Sequence, residues 1–193
     1  MPESRGLPRA DRKRIPPIPL EEQDLATQEL LRSLRGSSTT KDLNVFSTLA
    51  WYPDLLRRWA SFGGVLLNRG SLSGRDREML ILRTARNCRC DYEWNQHSVV
   101  ARDLGLSDVE IGQIASEKDY RSISEPEQDL LAAADELHFS ARISDQTWDK
   151  LAHRYDYKQL IEICLLVGQY HVAAFALNSL GVPPEPWHQR PNW

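Results

Sequence analysis

Proline placement constrains this chain more than any other feature. Nine of the eleven prolines fall before residue 20 or after residue 182. Proline lacks an amide donor and clashes with the preceding helical turn, so both ends are predicted to be non-helical while the long middle is free to be helical. Of the two interior prolines, Pro126 stands in the first turn of a candidate helix, where it is tolerated, and Pro53 separates two others. The first twenty residues, closing with Ile15-Pro16-Pro17-Ile18-Pro19, read as an extended arm. The tail Val182-Pro183-Pro184-Glu185-Pro186-Trp187-His188 is similar, with Trp187 and Trp193 as groups it could bury. Both ends are candidate clasps for a second subunit. The arginine-rich start (Arg5, Arg9, Arg12, Lys13, Arg14) reads as a solvated arm.

Between the arms, apolar residues recur at helical spacing. Glu21–Arg35 carries a Leu25, Leu30, Leu31, Leu34 stripe and stops at Gly36, and Ser37–Thr40 reads as a linker. Further helices are expected over Leu43–Leu49, Asp54–Asn68, Gly74–Arg86, Asp91–Leu104, from Ser107 to Ala115, from Ser124 to near Phe139, from Ser144 through His153, and over Lys158–Leu180. Ser107-x-x-Glu110 and Ser124-x-x-Glu127 are capping boxes; Ser73-x-x-Asp76 resembles one with Asp in place of Glu. Met79, Leu80, Ile81 and Leu82 make the Gly74–Arg86 helix apolar almost all round, which predicts a central, buried position. No segment alternates convincingly as a strand. The expected fold is all-α, with about nine helices. The expected organisation is an arm and first helix over residues 1–40, a helical domain over 41–182, and a tail over 183–193.

Composition narrows the function classes. A net charge of −3 offers no general attraction for nucleic acid or an anionic membrane. No apolar run approaches the ~18 residues of a membrane span, and the start of the chain lacks the apolar stretch of a secretory leader. Three cysteines, an odd number, do not suggest a disulfide framework, and a reducing cytoplasmic setting is expected.

Chemistry-bearing residues concentrate between Glu78 and His97. On one helix Cys90, Glu93 and His97, spaced i, i+3, i+7, would share a face. A thiol, a carboxylate and an imidazole on one stripe suit proton transfer or redox chemistry. Glu93 and His97 alone, at i, i+4, could also be an ordinary helix pair. His171 interrupts the apolar stripe Leu160, Cys164, Val167, Ala174 of the last helix. It is either a satisfied core histidine or, with Tyr170, a residue reaching the pocket. Cys90, Glu93, His97 and His171 could ligate zinc, but the second half lacks a paired ligand motif, so no metal and no cofactor are expected. Trp51, Trp59 and Trp94 read as core or pocket wall.

The spacing Glu78-x11-Cys90-x-x-Glu93-x-x-x-His97, with Leu80-Ile81-Leu82-Arg83 before it and Ala101-Arg102-Asp103-Leu104-Gly105-Leu106-Ser107 after it, resembles the signature of the carboxymuconolactone decarboxylase and alkylhydroperoxidase-D family. Leu166–His171 and Ala176–Gly181 are similar to that family's closing helix, and the resemblance covers about residues 40–182. In the peroxidase branch a second cysteine stands where this chain has Glu93, and a carboxylate cannot close a disulfide. Cys88 could substitute only if residues 87–90 are non-helical. The decarboxylase branch has a Glu four residues before the His and no cysteine pair, as here. The resemblance therefore implies cofactor-free lyase or isomerase chemistry on a small oxygenated acid or lactone. His97 would be the general acid/base, Glu93 its orienter, Glu78 a second relay or anchor, and Cys90 a pocket lining, with Trp94, Tyr170 and His171 as substrate contacts. It also implies a homo-oligomer, a trimer or trimer-based hexamer. The alternatives are a thiol-dependent peroxidase using Cys90 and a non-catalytic ligand-binding or assembly protein.

Overall fold

The computed structural model of the chain describes residues 13–35, 43–116 and 120–188. The arginines at 5, 9 and 12, the Ser37–Thr40 linker and Trp193 lie outside the described residues. Among the described residues there are nine α-helices and no strand, as the periodicity predicts. They are α1 (Leu25–Ser33), α2 (Asn44–Leu49), α3 (Pro53–Asn68), α4 (Gly74–Asn87), α5 (Asp91–Asp103), α6 (Asp108–Ala115), α7 (Glu125–Ser140), α8 (Asp145–Arg154) and α9 (Tyr157–Leu180).

Helix α4 is the hub, and α5, α7 and α9 pack around it. Met79, Leu80, Ile81, Leu82 and Ala85 are fully buried, the expected outcome for a helix apolar on every side. The charged residues of α4 are tolerated inside only because each has partners. Arg83 Nε and Nη2 donate to the two Asp135 carboxylate oxygens at 2.6 and 2.7 Å, and Nη1 donates to the carbonyls of Ile114 and Ser116. Arg154 Nη2 donates to Asp76 Oδ1 at 3.0 Å. That pairing accounts for a small departure at the start of α4. Ser73 Oγ accepts from the Asp76 amide as expected, but the Asp76 side chain is engaged by Arg154 instead of completing a box. The boxes at Ser107–Glu110 and Ser124–Glu127 are both present.

Between α4 and α5 the chain turns within three residues. Cys88 ends α4 in helical geometry, Arg89 takes a left-handed φ of 50°, and Cys90 is extended. The Cys90 amide donates to the Ala85 carbonyl at 2.8 Å, which pins the turn. The helix therefore ends at Asn87, so the chain leaves helical geometry only after residue 88 and not across 87–90, and Cys88 and Cys90 are both free thiols.

The described parts of both arms are spent on the chain's own body. The Arg14 and Ile15 amides donate to the Leu180 carbonyl at 3.0 and 3.1 Å, the Ile18 amide donates to Ser47, and Trp51 Nε1 donates to the Pro16 carbonyl. At the other end the buried Glu185 carboxylate accepts from the Asn44 amide at 2.6 Å and from the Tyr92 hydroxyl at 2.5 Å. Within one chain, both arms are held against α2, α5 and α9.

Helix α9 corrects the expectation about apolar length. Its 24 residues reach a mean hydropathy of 1.7 over an 18-residue window, enough by length and composition to span a membrane. More than half of that window is buried inside the fold. Ile163, Leu166, Val167 and Ala174 face the core, whereas Tyr157, Ile161, Leu165, Val172 and Phe175 form an exposed apolar stripe on the other side.

Candidate active site

Helix α4 supplies Glu78, α5 supplies Glu93 and His97, the turn supplies Cys90, and α9 supplies Tyr170. His97 Nδ1 lies 2.7 Å from Glu78 Oε2, and Arg77 Nε donates to Glu78 Oε1 at 3.0 Å. Glu78 is fully buried, while the His97 side chain keeps 15% of its surface. Burial on its own would push the Glu78 carboxyl up. The hydrogen bonds and charges of His97 and Arg77 outweigh it and hold the group below its ordinary value, so Glu78 is an anion. An anionic acceptor fixes the imidazole as the Nδ1–H tautomer and leaves Nε2 for a reacting proton. The Tyr170 ring meets the His97 ring edge-on, with centroids 4.9 Å apart, and walls the imidazole from the α9 side.

Glu93 is placed away from the imidazole. It shares α5 with His97 at i, i+4, yet the carboxylate that meets His97 Nδ1 is that of Glu78. Cys90 is the N-cap of α5, so Glu93 falls at the third helical position, where a side chain leans back over the helix start. There it sits beside the Cys90 thiol, and neither of its oxygens has a hydrogen-bond partner among the described residues. Burial pushes its carboxyl well above the ordinary value, against a smaller opposing contribution from Cys90. The Cys90 thiol is completely buried among Val45, Tyr92, Ala174 and Leu177, and burial together with Glu93 pushes it well up. Cys90 therefore stays a thiol.

Trp94 and His171 have other protein neighbours than His97. Trp94 packs against the cluster of Met79, Leu82, Ala101 and Leu131, making it a wall of the core. His171 pairs with His138 of α7, at 2.9 Å between His138 Nδ1 and His171 Nε2, and not with His97. No local motif singled out His138; only the packing of α7 on α9 makes it a partner. A surface depression of about 530 Å³ lies along α3, lined by Asp54, Arg57, Arg58, Ser61, Phe62 and Val65, and includes none of the site residues. Glu185 and Glu162, both buried acceptors of backbone amides, also escaped the sequence reading because their partners are about ninety residues or more away.

The carboxymuconolactone decarboxylase family profile matches residues 53–136, a span that holds Glu78, Cys90, Glu93 and His97. No curated protein matches the sequence at a significant level. Among solved structures, the chain is similar to an uncharacterized peroxidase-related protein from Ralstonia eutropha JMP134 described as an alkylhydroperoxidase AhpD core. The TM-score is 0.77 at 19% identity, covering 89% of this chain and 93% of that one. It is similar to an uncharacterized peroxidase-related protein from Silicibacter sp. TM1040, with a TM-score of 0.77 at 16% identity over 91% of this chain and 95% of that one. It is also similar to the debrominase Bmp8 in complex with 2,3,4-tribromopyrrole, with a TM-score of 0.73 at 13% identity over 89% of this chain and 91% of that one. At these identities the structural likeness shows a shared fold.

Proposed function

For a chain that resembles the carboxymuconolactone decarboxylase family and has the alkylhydroperoxidase-D-like fold, we propose acid–base lyase or isomerase chemistry on a small oxygenated acid or lactone, carried out without a cofactor. The observation that carries this reading is the 2.7 Å contact between His97 Nδ1 and a buried, anionic Glu78. In a decarboxylation the electrons of the breaking C–C bond pass into the conjugated carbonyl system as CO₂ leaves. The proton that replaces the carboxylate is delivered from His97 Nε2 and restored from water. In an isomerisation the same nitrogen removes a proton from one carbon and returns it to another. Glu78 holds the tautomer and stabilises the positive charge that the ring carries. Glu93, whose carboxyl burial pushes up while its partners hold Glu78 low, is the reserve proton donor beside the site.

Thiol peroxidase chemistry fits less well. It requires an accessible thiolate and a resolving partner, whereas Cys90 is buried as a thiol and Glu93 occupies the partner's position. The peroxidase-related names of two structural neighbours describe those proteins, at identities of 19% and 16%. The exposed apolar stripe of α9 supports the homo-oligomer that the family resemblance implies.

The test is a panel of small unsaturated lactone acids, followed by CO₂ release and by deuterium uptake from heavy water in proton NMR spectra. Wild type should turn over at least one of them, and His97→Ala should lower kcat by about 10²–10⁴-fold with unchanged circular dichroism. Turnover indifferent to His97→Ala overturns the reading. So does hydroperoxide consumption, with a dithiol reductant, that is lost in Cys90→Ser.

A further inference from the structure

Away from the Glu78–His97 pair, the fold gathers Cys88 from the α4–α5 turn, His138 from α7 and His171 from α9. One donor atom from each lies within 4.8 Å of the other two, and all three side chains are half-buried. The His171 ring is already aimed. Its Nδ1 bonds to the Val167 carbonyl at 2.8 Å, so Nδ1 carries the hydrogen and Nε2 presents its lone pair toward His138 Nδ1, 2.9 Å away. The Cys88 backbone is held in turn by Asn178 Nδ2, which donates to the Cys88 carbonyl at 2.9 Å.

We propose that Cys88, His138 and His171 form a binding site for a divalent ion of the zinc class, with one coordination position left for water or a small ligand. A thiolate and two imidazoles are the donor set that borderline-soft, tetrahedral ions select over hard cations such as magnesium or calcium. Tetrahedral zinc, with bonds of ~2.0–2.1 Å to nitrogen and ~2.3 Å to sulfur, holds its donors about 3.3–3.6 Å apart. The observed separations, from 2.9 Å to at most 4.8 Å, bracket that range. The Val167 carbonyl behind His171 is the outer partner that metal-bound histidines characteristically have, since it fixes the ring and its tautomer. A histidine–histidine hydrogen bond by itself would account for two of these groups. It does not account for a thiol delivered to the same point by a third element whose backbone carbonyl is separately tethered.

Binding is proton-balanced. The Cys88 thiol loses its proton to solvent, the His138 hydrogen shifts from Nδ1 to Nε2 through solvent so that Nδ1 can bind, and His171 keeps Nδ1–H on Val167. The ion would tie α7, α9 and the turn before α5 to one another. Because Tyr170, which walls His97, precedes His171 on α9, that tie would also brace the neighbouring site.

The test uses the full chain, reduced and stripped with chelator, titrated with Zn²⁺ alone and, as a spectroscopic probe, with Co²⁺. The expected result is one equivalent of zinc bound with release of about one proton. Cobalt should give a near-ultraviolet thiolate-to-cobalt band and four-coordinate visible bands that zinc displaces. Cys88→Ser, a one-atom change, should abolish the thiolate band. His138→Gln and His171→Gln should each weaken zinc binding by more than about 100-fold, and Cys164→Ser should leave the spectrum intact. If His171→Gln does not fold, Cys88→Ser and His138→Gln, checked by circular dichroism, carry the test. No zinc uptake at micromolar concentrations, a cobalt band that persists in folded Cys88→Ser, or zinc affinity unchanged in folded His138→Gln overturns the proposal.

Discussion

His97 and Glu78, nineteen residues apart and on different helices, meet at 2.7 Å between Nδ1 and Oε2, and the carboxylate of that pair is completely buried. Nitrogen NMR should therefore report His97 as a single Nδ1–H tautomer. In Glu78→Gln the acceptor loses its charge, and the spectrum should move toward a mixture of tautomers. Turnover of any identified substrate should fall by about 10²–10⁴-fold. A His97 tautomer unchanged by this substitution would remove Glu78 from the role of orienter.

Glu93 titrates in the opposite sense. A carboxyl raised in the folded state contributes stability below its unfolded value of 4.5, and that contribution is lost as pH rises toward the folded value. Wild-type stability should therefore decline as pH rises above 4.5 toward the folded value, while Glu93→Gln, which cannot ionise, should lack that decline. The stability of the variant relative to wild type should rise with pH across this range. Chemical denaturation across this range decides it. A variant that is less stable at every pH would mean that Glu93 is charged and paired in the fold.

Acid sensitivity of the α6–α7 junction follows from Arg75, which donates to Glu110 and, at 2.6 Å, to Glu127. Burial would raise both carboxyls. For Glu110 the Ser107 hydroxyl, then Arg75 and the Ser107 amide, override it and hold the group at about 2. Arg75 and Ser124 hold Glu127 low in the same way. Lowered carboxyls stabilise above the ordinary 4.5, and that stabilisation is lost as pH falls toward about 2. Arg75→Met should melt lower than wild type at pH 7 by an amount on the order of 1 kcal/mol, and the gap should close near pH 2. An equal gap at both pH values would attribute the loss to packing.

Self-association should depend on the outward face of α9. Ile161 and Leu165 are 61% and 47% exposed on that stripe. Light scattering on the Ile161→Glu, Leu165→Glu double variant should give the monomer mass, against a trimer or hexamer for wild type. Circular dichroism should be unchanged, because neither side chain supports the core. The same mass for both proteins would exclude this face from the interface.

Gly70 is required by close approach. A Cβ built there would fall 2.1 Å from Glu162 Oε1 and 2.8 Å from the Leu66 carbonyl. Glu162 cannot withdraw freely, since its other oxygen accepts from the Ser71 and Leu72 amides. Gly70→Ala should cost about 1–3 kcal/mol, visible as a lower thermal midpoint. A neutral result would mean that the Glu162 contact is expendable.

The helices were legible because their causes are local. Ser107 and Ser124 start α6 and α7 as their boxes predict, and Met79 to Leu82 bury as their unbroken apolarity predicts. Local reading failed where a residue's partner comes from another element. Nothing near Asp76 points to Arg154, and nothing near Glu185 points to Tyr92 and the Asn44 amide. The spacing from Glu78 to His97 marked the right region, but the helical period favoured Glu93 as the imidazole's partner, because i, i+4 neighbours are the contacts a period can express.

By itself, then, the sequence determined an all-α chain with α4 at its centre, and it concentrated the candidate chemistry between residues 78 and 97. Side-chain period, caps and proline placement act over a few residues and need no knowledge of the rest. Only the tertiary structure decided which groups share a proton or a ligand. Cys90 at the N-cap of α5 places Glu93 buried beside its thiol, α5 lying on α4 gives His97 to Glu78, and α7 lying on α9 gives His171 to His138 beside Cys88. Pairings of this kind depend on how helices cross and on what their burial excludes, and neither is written in the spacing of residues along one chain.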